Sequence, residues 1–352
     1  MPELGASPLV SFDHEELVIR RGRRSGAYTV VAVHSTALGP ALGGCRLWRY
    51  ESSASGARDA LRLARAMTFK AAAAGVALGG GKGVICADPG VAPTGKRRRD
   101  MLLDFADTVN ALEGRYVTAE DVGTSSRDMA VIATGSKHVT GLARSRGGSG
   151  DPSPLTALGV EAAMRACCAK RFGSPELEGR SVAVIGAGRV GATLARRLNR
   201  AGARLVVADI DERKRAFVEK LPRAKWVEPS AALTAEVDVL APCALGGAID
   251  PSTIGHLRCA IVCGSANNQL SHEGLAEDLA TRDIVYAPDF IVNAGGLINI
   301  AVELEGYEPS RARRRVAAIE QTMSTVLDEA EADGVTPLAA AYDLARARLA
   351  HT

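Results

Sequence analysis

Three observations predict an α/β protein of two domains. The chain has 352 residues, 47% hydrophobic and 24% charged, which suits a soluble globular protein long enough for two cores. The segment Ser145–Pro154 is dense in Gly, Ser and Pro and reads as a linker or hinge. Past it, a short apolar strand runs straight into Gly186-Ala187-Gly188-Arg189-Val190-Gly191 and a helix, and the next strand ends on an acid. Strand, glycine turn, helix and acid in that order are the context of a doubly wound, Rossmann-type dinucleotide domain.

In the first half, expected to form a domain over 1–147, Ala27–His34 is β-branched and apolar and reads as a strand. It leads into an early glycine turn, Gly39 to Arg46. The run Gly56–Ala74 is rich in Ala, Leu and Arg with apolar residues at helical spacing, and Gly75 is a stop signal, so Lys70 falls near a helix end. The glycines Gly79, Gly80 and Gly81 follow as a permissive loop, and Lys82 guards the entrance of a buried strand, Gly83–Ala87. Two lysines in an apolar, glycine-punctuated setting could hold a small polar ligand between their ammonium groups, whereas an ordinary lysine is a solvated surface charge. A phosphate loop is excluded, because Val76 occupies its first glycine position and Gly83 follows the lysine.

The basic cluster Lys96–Arg99, in a loop 91–99, reads as a solvated turn at a helix start. Leu102–Leu112 has helical periodicity, and Tyr116–Ala119 looks like another strand. Asp121 lies just beyond it in a glycine-bearing turn, where function is common, although Asp is also a routine turn residue and cap.

In the second half, expected over 148–334, Thr156–Lys170 reads as a helix, Ser181–Ile185 as the first strand and Ala192–Arg200 as the helix after the glycines. Gly186, Gly188 and Gly191 would let the backbone reach a pyrophosphate, whose charge would meet the amides and dipole of the helix start. The strand Arg204–Ala208 ends at Asp209, which would bind the adenosine ribose hydroxyls and repel a ribose phosphate. NAD is therefore favoured over NADP, with Arg213 and Lys214 close by. Further strands fall at Val237–Leu240, Ala260–Cys263 and Ile284–Ala287 and complete an open parallel sheet. Asn293–Asn299 reads as a third glycine turn, Arg311–Asp333 as one long helix, and Pro337–Leu349 as a tail helix that would rejoin the first domain with 335–352.

Composition narrows the function classes. A net charge of only +3 and 4% aromatic residues argue against nucleic acid. Seven cysteines without C-x-x-C spacing and six scattered histidines do not support a metal site. Several cysteines lie in apolar runs, no stretch approaches membrane-spanning length, and the first residues lack a signal peptide's apolar core, so a reduced, cytoplasmic protein is expected.

Seven separate stretches resemble the glutamate, leucine, phenylalanine and valine dehydrogenase family, and most closely its leucine and valine branch. They are Leu38–Arg46, Met67–Pro89, Tyr116–Thr124, Asp151–Gly159, Pro242–Gly246, Gly264–Leu270 and Tyr286–Asn299. The resemblance implies an amino-terminal α/β substrate domain, a Rossmann-type NAD domain and a cleft between them. It implies reversible oxidative deamination of an L-amino acid to a 2-oxo acid and ammonia by a homo-oligomer.

Carried over position by position, it implies that Lys70 binds the substrate carboxylate, with Gly43 and Gly44 beside the substrate. Lys82 would activate the attacking water, and Asp121 would be the acid/base partner. Thr156, Cys243, Ala244 and Asn268 would line the nicotinamide end, and Arg189 and Val190 lie within the fingerprint. Lys82, near another cation and partly desolvated, should have a lowered pKa. Glutamate-using relatives carry a lysine where this chain has Leu42, and Ala119, Leu297 and Ile300 match pocket-shaping positions, so leucine, valine or isoleucine is expected, with phenylalanine as the alternative. The rival from another class is a catalytically silent NAD-binding regulator on the same fold.

Overall fold

The computed structural model describes residues 13–88, 93–244 and 246–350, and the chain divides into two compact units. The first comprises residues up to Thr68 together with Ala77–Leu142. Its elements are β1 (Glu16–Arg21), β2 (Tyr28–Ser35), β3 (Ala41–Arg49), α1 (Ser53–Ala73, whose last residues belong to the second unit), β4 (Gly79–Ala87), α2 (Gly95–Asn110), β5 (Tyr116–Glu120) and α3 (Ser126–Ile132). The strands form one sheet in the order β1-β2-β4-β3-β5. β2 is antiparallel to both its neighbours, and β3 is parallel to both of its own.

Strand alternation sends Val31 and Val33 of β2 to one face, where they meet Met101, Leu102 and Phe105 of α2, and Val30 and Ala32 to the other, where they meet Ala57, Ala60 and Ala64 of α1. Phe105 has no exposed surface, a burial that contributes roughly 1.5–3 kcal/mol. α1 ends where Gly75 takes a positive φ of 63°, a conformation that disfavours a side chain.

Two segments expected as glycine turns are strands. Gly43 and Gly44 lie inside β3, and Gly79, Gly80 and Gly81 lie inside β4, which is buried along its whole length. Lys82 therefore sits in mid-strand and not at an entrance. The glycines are there to make room. A Cβ on Gly43 would overlap the Gly81 carbonyl oxygen, one on Gly80 would overlap Thr68 of α1, and one on Gly81 would come within 2.7 Å of the Tyr116 ring. The basic run is a helix start and not a loop: Lys96–Arg99 forms the first turn of α2, with Lys96, Arg97 and Arg99 exposed as expected. Arg98 grips Asp128 of α3 with two hydrogen bonds of 2.7 and 2.9 Å and donates a third to the Gly123 carbonyl. Residues 89–92, at the start of the basic loop, lie outside the described residues.

The second unit comprises Phe69–Val76 and the chain from Ala143 onward. It contains α4 (Ser153–Phe172), β6 (Ser181–Ile185), α5 (Arg189–Arg200), β7 (Arg204–Ala208), α6 (Arg215–Val218), β8 (Ala224–Trp226), α7 (Pro229–Leu233) and β9 (Glu236–Pro242). There follow β10 (Arg258–Val262), α8 (Leu275–Thr281), β11 (Val285–Tyr286), α9 (Asp289–Val292), α10 (Gly295–Leu304), α11 (Pro309–Ala317), α12 (Ile319–Asp333) and α13 (Pro337–Ala350). Its six strands are all parallel, in the order β8-β7-β6-β9-β10-β11. This is the doubly wound order, and the order of the strands reverses between β6 and β9, the place at the carboxyl ends of the strands where such sheets bind their ligands.

Here too a helix replaces an expected glycine turn. Gly295 and Gly296 open α10, and a Cβ on Gly295 would overlap the Leu155 carbonyl oxygen of α4. The expected single helix 311–333 is two, α11 and α12, meeting at Ala318. In α13, Arg348 donates to the carbonyls of Ala72 and Ala73 at the end of α1. Among the described residues no helix is long and apolar enough to cross a membrane.

Close strand packing gives a direct test. Gly43→Ala should lower stability by about 1–3 kcal/mol or more, because the new methyl has only backbone to displace. Urea denaturation checks this, and an unchanged midpoint would contradict the close-approach account.

Candidate active site

In the first unit, β4 carries Lys82 and the chain leaving β5 carries Asp121, with β3 between the two strands. Lys82 Nζ meets Asp121 Oδ2 at 2.7 Å, and the lysine side chain is only 6% exposed. Arg46, on β3, donates from Nε to the same carboxylate oxygen at 3.0 Å. The Asp121 backbone is fastened separately: its N–H donates to Thr124 Oγ1 at 2.9 Å, and that hydroxyl lies 2.8 Å from the Cys45 carbonyl.

Burial disfavours the ammonium and pulls the Lys82 pKa below the ordinary lysine value, against the attraction of Asp121, and repulsion from Arg46 adds to the lowering. Burial would raise the Asp121 pKa, but the attraction of Lys82 and then of Arg46 overrides it and holds the carboxyl below its usual range. Desolvation thus leads, where the sequence reading expected a second lysine and partial desolvation together, and the neighbouring cation is Arg46. The pair is a lysine primed to release a proton beside a carboxylate kept ionised, which is equipment for moving protons to and from a reactant.

The other residues expected around a substrate divide between the units. Leu42 (1% exposed), Gly43 and Gly44 of β3 and Ala119 of β5 belong to the first. Leu297 is buried and Ile300 half-buried on α10 in the second. Lys70 is also in the second: its Nζ donates to Asn293 Oδ1 at 2.5 Å, and Asn293 Nδ2 donates to Asn267 Oδ1 at 2.8 Å and to the Ser265 carbonyl at 3.2 Å. Burial raises the pKa of Asp289 on α9, opposed by Gln269 N–H and by Lys70. Arg46 and Asn293 both lie inside stretches that carried the family resemblance, so their motifs were the available signal.

The dinucleotide fingerprint lies at the point where the sheet reverses direction. Gly186 has a φ of 104°, and a Cβ there would stand 2.7 Å from the Ala244 amide nitrogen, so the turn after β6 fits against the chain leaving β9. A Cβ on Gly191 would overlap the Gly186 carbonyl. Gly188, in contrast, has open space where a Cβ would be, and Arg189 and Val190 begin α5, whose first amides have no partner within the helix and suit an anion. Asp209 Oδ2 accepts from Ala187 N–H at 2.7 Å and Oδ1 from Asp211 N–H at 2.9 Å, while Lys214 lies 3.9 Å from Oδ2. Thr156 is in the first turn of α4, Cys243 donates its N–H to the Ile185 carbonyl, and exposed Asn268 is held at a φ of 51°. An open glycine cradle, a long helix's amino terminus and an acid beyond the second strand fit a dinucleotide.

Fold and site together define an oxidoreductase of the NAD(P)-dependent kind. Comparison with known proteins gives the family. The Glu/Leu/Phe/Val dehydrogenase dimerisation-domain model matches residues 14–138, and the Glutamate/Leucine/Phenylalanine/Valine dehydrogenase model matches 147–352. The chain is 42% identical over 338 residues to leucine dehydrogenase of Bacillus subtilis, covering 96% of this chain and 92% of that protein. It is 44% identical over 340 residues to valine dehydrogenase of Streptomyces albus, at 96% and 92% coverage. The crystal structure of L-tryptophan dehydrogenase from Nostoc punctiforme superposes with a TM-score of 0.84 at 37% identity, covering 97% of this chain and 98% of that one. The protein belongs to the glutamate/leucine/phenylalanine/valine dehydrogenase family and is an amino-acid dehydrogenase.

The open space at Gly188 gives a prediction that separates binding from folding. Gly188→Ala should leave stability within about 0.5 kcal/mol, as surface changes do. It should still weaken dinucleotide binding at least tenfold, about 1.4 kcal/mol, by holding a pyrophosphate off the backbone. Titration of NAD against both proteins, with thermal unfolding alongside, checks it; equal affinity would contradict the cradle.

Proposed function

We propose that this dehydrogenase catalyses the NAD-dependent, reversible oxidative deamination of an apolar L-amino acid, leucine, valine or isoleucine, to its 2-oxo acid and ammonia. The buried Lys82–Asp121 pair carries the reading, since a silent NAD-binding regulator needs neither an expensive buried ammonium nor its counter-charge. The 42% and 44% identical relatives named for leucine and valine support the substrate class.

In the proposed mechanism Lys70 binds the substrate carboxylate. Gly186, Gly188, Arg189, Val190 and Gly191 hold the dinucleotide phosphates, Asp209 the adenosine ribose, and Thr156, Cys243, Ala244 and Asn268 the nicotinamide end. NAD held there would supply the acceptor for the hydride leaving the amino acid Cα. Lys82 in its neutral form takes a proton from the water that adds to the oxidised carbon, which its lowered pKa favours. Asp121 exchanges the proton on the substrate nitrogen. The preference for NAD rests on the Asp209 carboxylate, which would repel a ribose phosphate. A homo-oligomer is proposed because the first family model describes a dimerisation domain. The free, buried thiols of Cys45, Cys167, Cys168 and Cys263 suit a reducing compartment, the cytoplasm.

Selectivity follows from burial. A glutamate side-chain carboxylate set against buried Leu42 would be desolvated without a partner, at a cost of several kcal/mol. Ala119, Leu297 and Ile300 add only apolar surface. A second reading, an aromatic substrate, is favoured by one observation: the 37% identical structure is that of an L-tryptophan dehydrogenase.

The test is NADH formation with a panel of L-amino acids. The kcat/KM for leucine or valine should exceed that for glutamate at least a hundredfold, about 2.7 kcal/mol. A preference for glutamate would overturn the pocket argument, one for phenylalanine or tryptophan would promote the second reading, and no turnover with any of them would leave the silent regulator. Lys82→Ala and Asp121→Asn should each lose about 10²-fold or more in kcat while still binding NAD, whereas Lys70→Ala should mainly raise KM. Near-normal turnover of Lys82→Ala would contradict its role. Asp209→Ala should relax discrimination against NADP, and an unchanged NAD to NADP ratio would count against the ribose contact.

A further inference from the structure

The polar cluster behind Asp121 has no part in the reaction as set out so far. Arg46 Nε donates to Asp121 Oδ2 at 3.0 Å, the same oxygen that Lys82 meets at 2.7 Å. Arg46 Nη1 donates to Asp59 Oδ2 of α1 at 2.9 Å. Asp59 is itself held: the Tyr50 hydroxyl donates to Oδ2 at 2.6 Å and Arg62 Nη2 to Oδ1 at 2.9 Å. β3, the chain after it and α1 thus combine to aim one half-buried guanidinium at one carboxylate oxygen.

The turn does not need this cluster to keep its shape, because Thr124 already fastens the Asp121 backbone to the Cys45 carbonyl. The cluster acts on the carboxylate. Both cations make their closest approach to the carboxylate at Oδ2. An oxygen shared by two cations is the poorer base, so a proton arriving on the carboxyl goes to the other one.

We propose that Arg46, backed by Asp59, is a positioning residue for the deamination, fixing the Asp121 carboxylate by Oδ2 so that Oδ1 is the atom that exchanges the substrate's proton. The proposal rests on the function given above. The charged or titratable groups facing Lys82 are Asp121, Arg46 and the buried Cys45 thiol. Of these Arg46 is the one cation, and it repels the protonated lysine. Losing it should therefore make Lys82 hold its proton to higher pH.

The experiment compares Arg46→Gln, Arg46→Lys and Asp59→Asn with the wild-type chain, measuring kcat, KM for the preferred amino acid and the pH profile of kcat/KM. Arg46→Gln should lower kcat about 10- to 100-fold, a part of what a general acid–base group contributes. Its KM should stay within about threefold, as for a group acting in the transition state. The ascending limb of its profile should move to higher pH. Arg46→Lys keeps a cation and should recover part of kcat. Asp59→Asn keeps the guanidinium without its backing and should lower kcat with no upward movement of the limb. Should Arg46→Gln fail to fold, Arg46→Lys and Asp59→Asn still decide. Wild-type kcat in Arg46→Gln with an unmoved limb would overturn the proposal, and so would the same loss in all three variants with an unmoved limb, the mark of a structural brace. An active wild type indifferent to Arg46 overturns this proposal alone, whereas a wild type that binds NAD and turns over no amino acid overturns the function and this proposal together.

Discussion

The first unit depends on giving the buried Lys82 ammonium a permanent counter-charge. A group so little exposed cannot stay charged on its own, because desolvation outweighs anything a distant charge returns. The partner, Asp121, comes from beyond β5, and β3 stands between β5 and the strand that carries Lys82. The pair can form only if β3 leaves space beside it. Gly44 does this, since a Cβ there would lie 2.7 Å from that of Asp121, and Gly43 lets β3 close against β4. Tyr116 packs where side chains on Gly81 and Gly83 of β4 would stand and donates its hydroxyl to the Gly43 carbonyl at 2.5 Å. The apolar layers of α1 and α2 then keep water from both faces of the sheet.

The second unit has the opposite feature, open space at the start of a helix where an anion would fit. Its glycines work in two ways: Gly186 and Gly191 permit close backbone contacts, and Gly188 leaves an opening before the amides of α5. Asp209 accepts two backbone hydrogen bonds and so braces the turn as well as presenting a negative charge. Lys214, bound to the Ala187 carbonyl at 2.9 Å and 3.9 Å from Asp209, partly offsets that charge.

The dinucleotide unit was the most legible part of the sequence. Ser181–Ile185 and Arg204–Ala208 are strands over the ranges read from the sequence, because apolar run, glycine turn and terminal acid are local signals that agree with the tertiary fold. Lys82 and Asp121 were legible as candidates through their setting. The glycine-rich stretches of β3, β4 and α10 were not, because glycine was read as a turn signal where it marks close approach of another backbone, a contact made far away in sequence. Arg46 escaped for a related reason. Its partners Asp59 and Asp121 lie 13 and 75 residues away, and no local pattern joins them. The break at Ala318 is a bend within continuous helical periodicity, which carries no sequence punctuation.

The central claim is that burial and Arg46 hold the Lys82 ammonium ready to lose its proton while Asp121 keeps it in place. NMR titration of the Lys82 side chain in the lysine-labelled wild-type protein, assigned with Lys82→Ala, tests this most directly. The account predicts a pKa clearly below the ordinary lysine value of about 10.4. A value at or above about 10.4 would mean that the ion pair merely stabilises the charge, and would contradict the account.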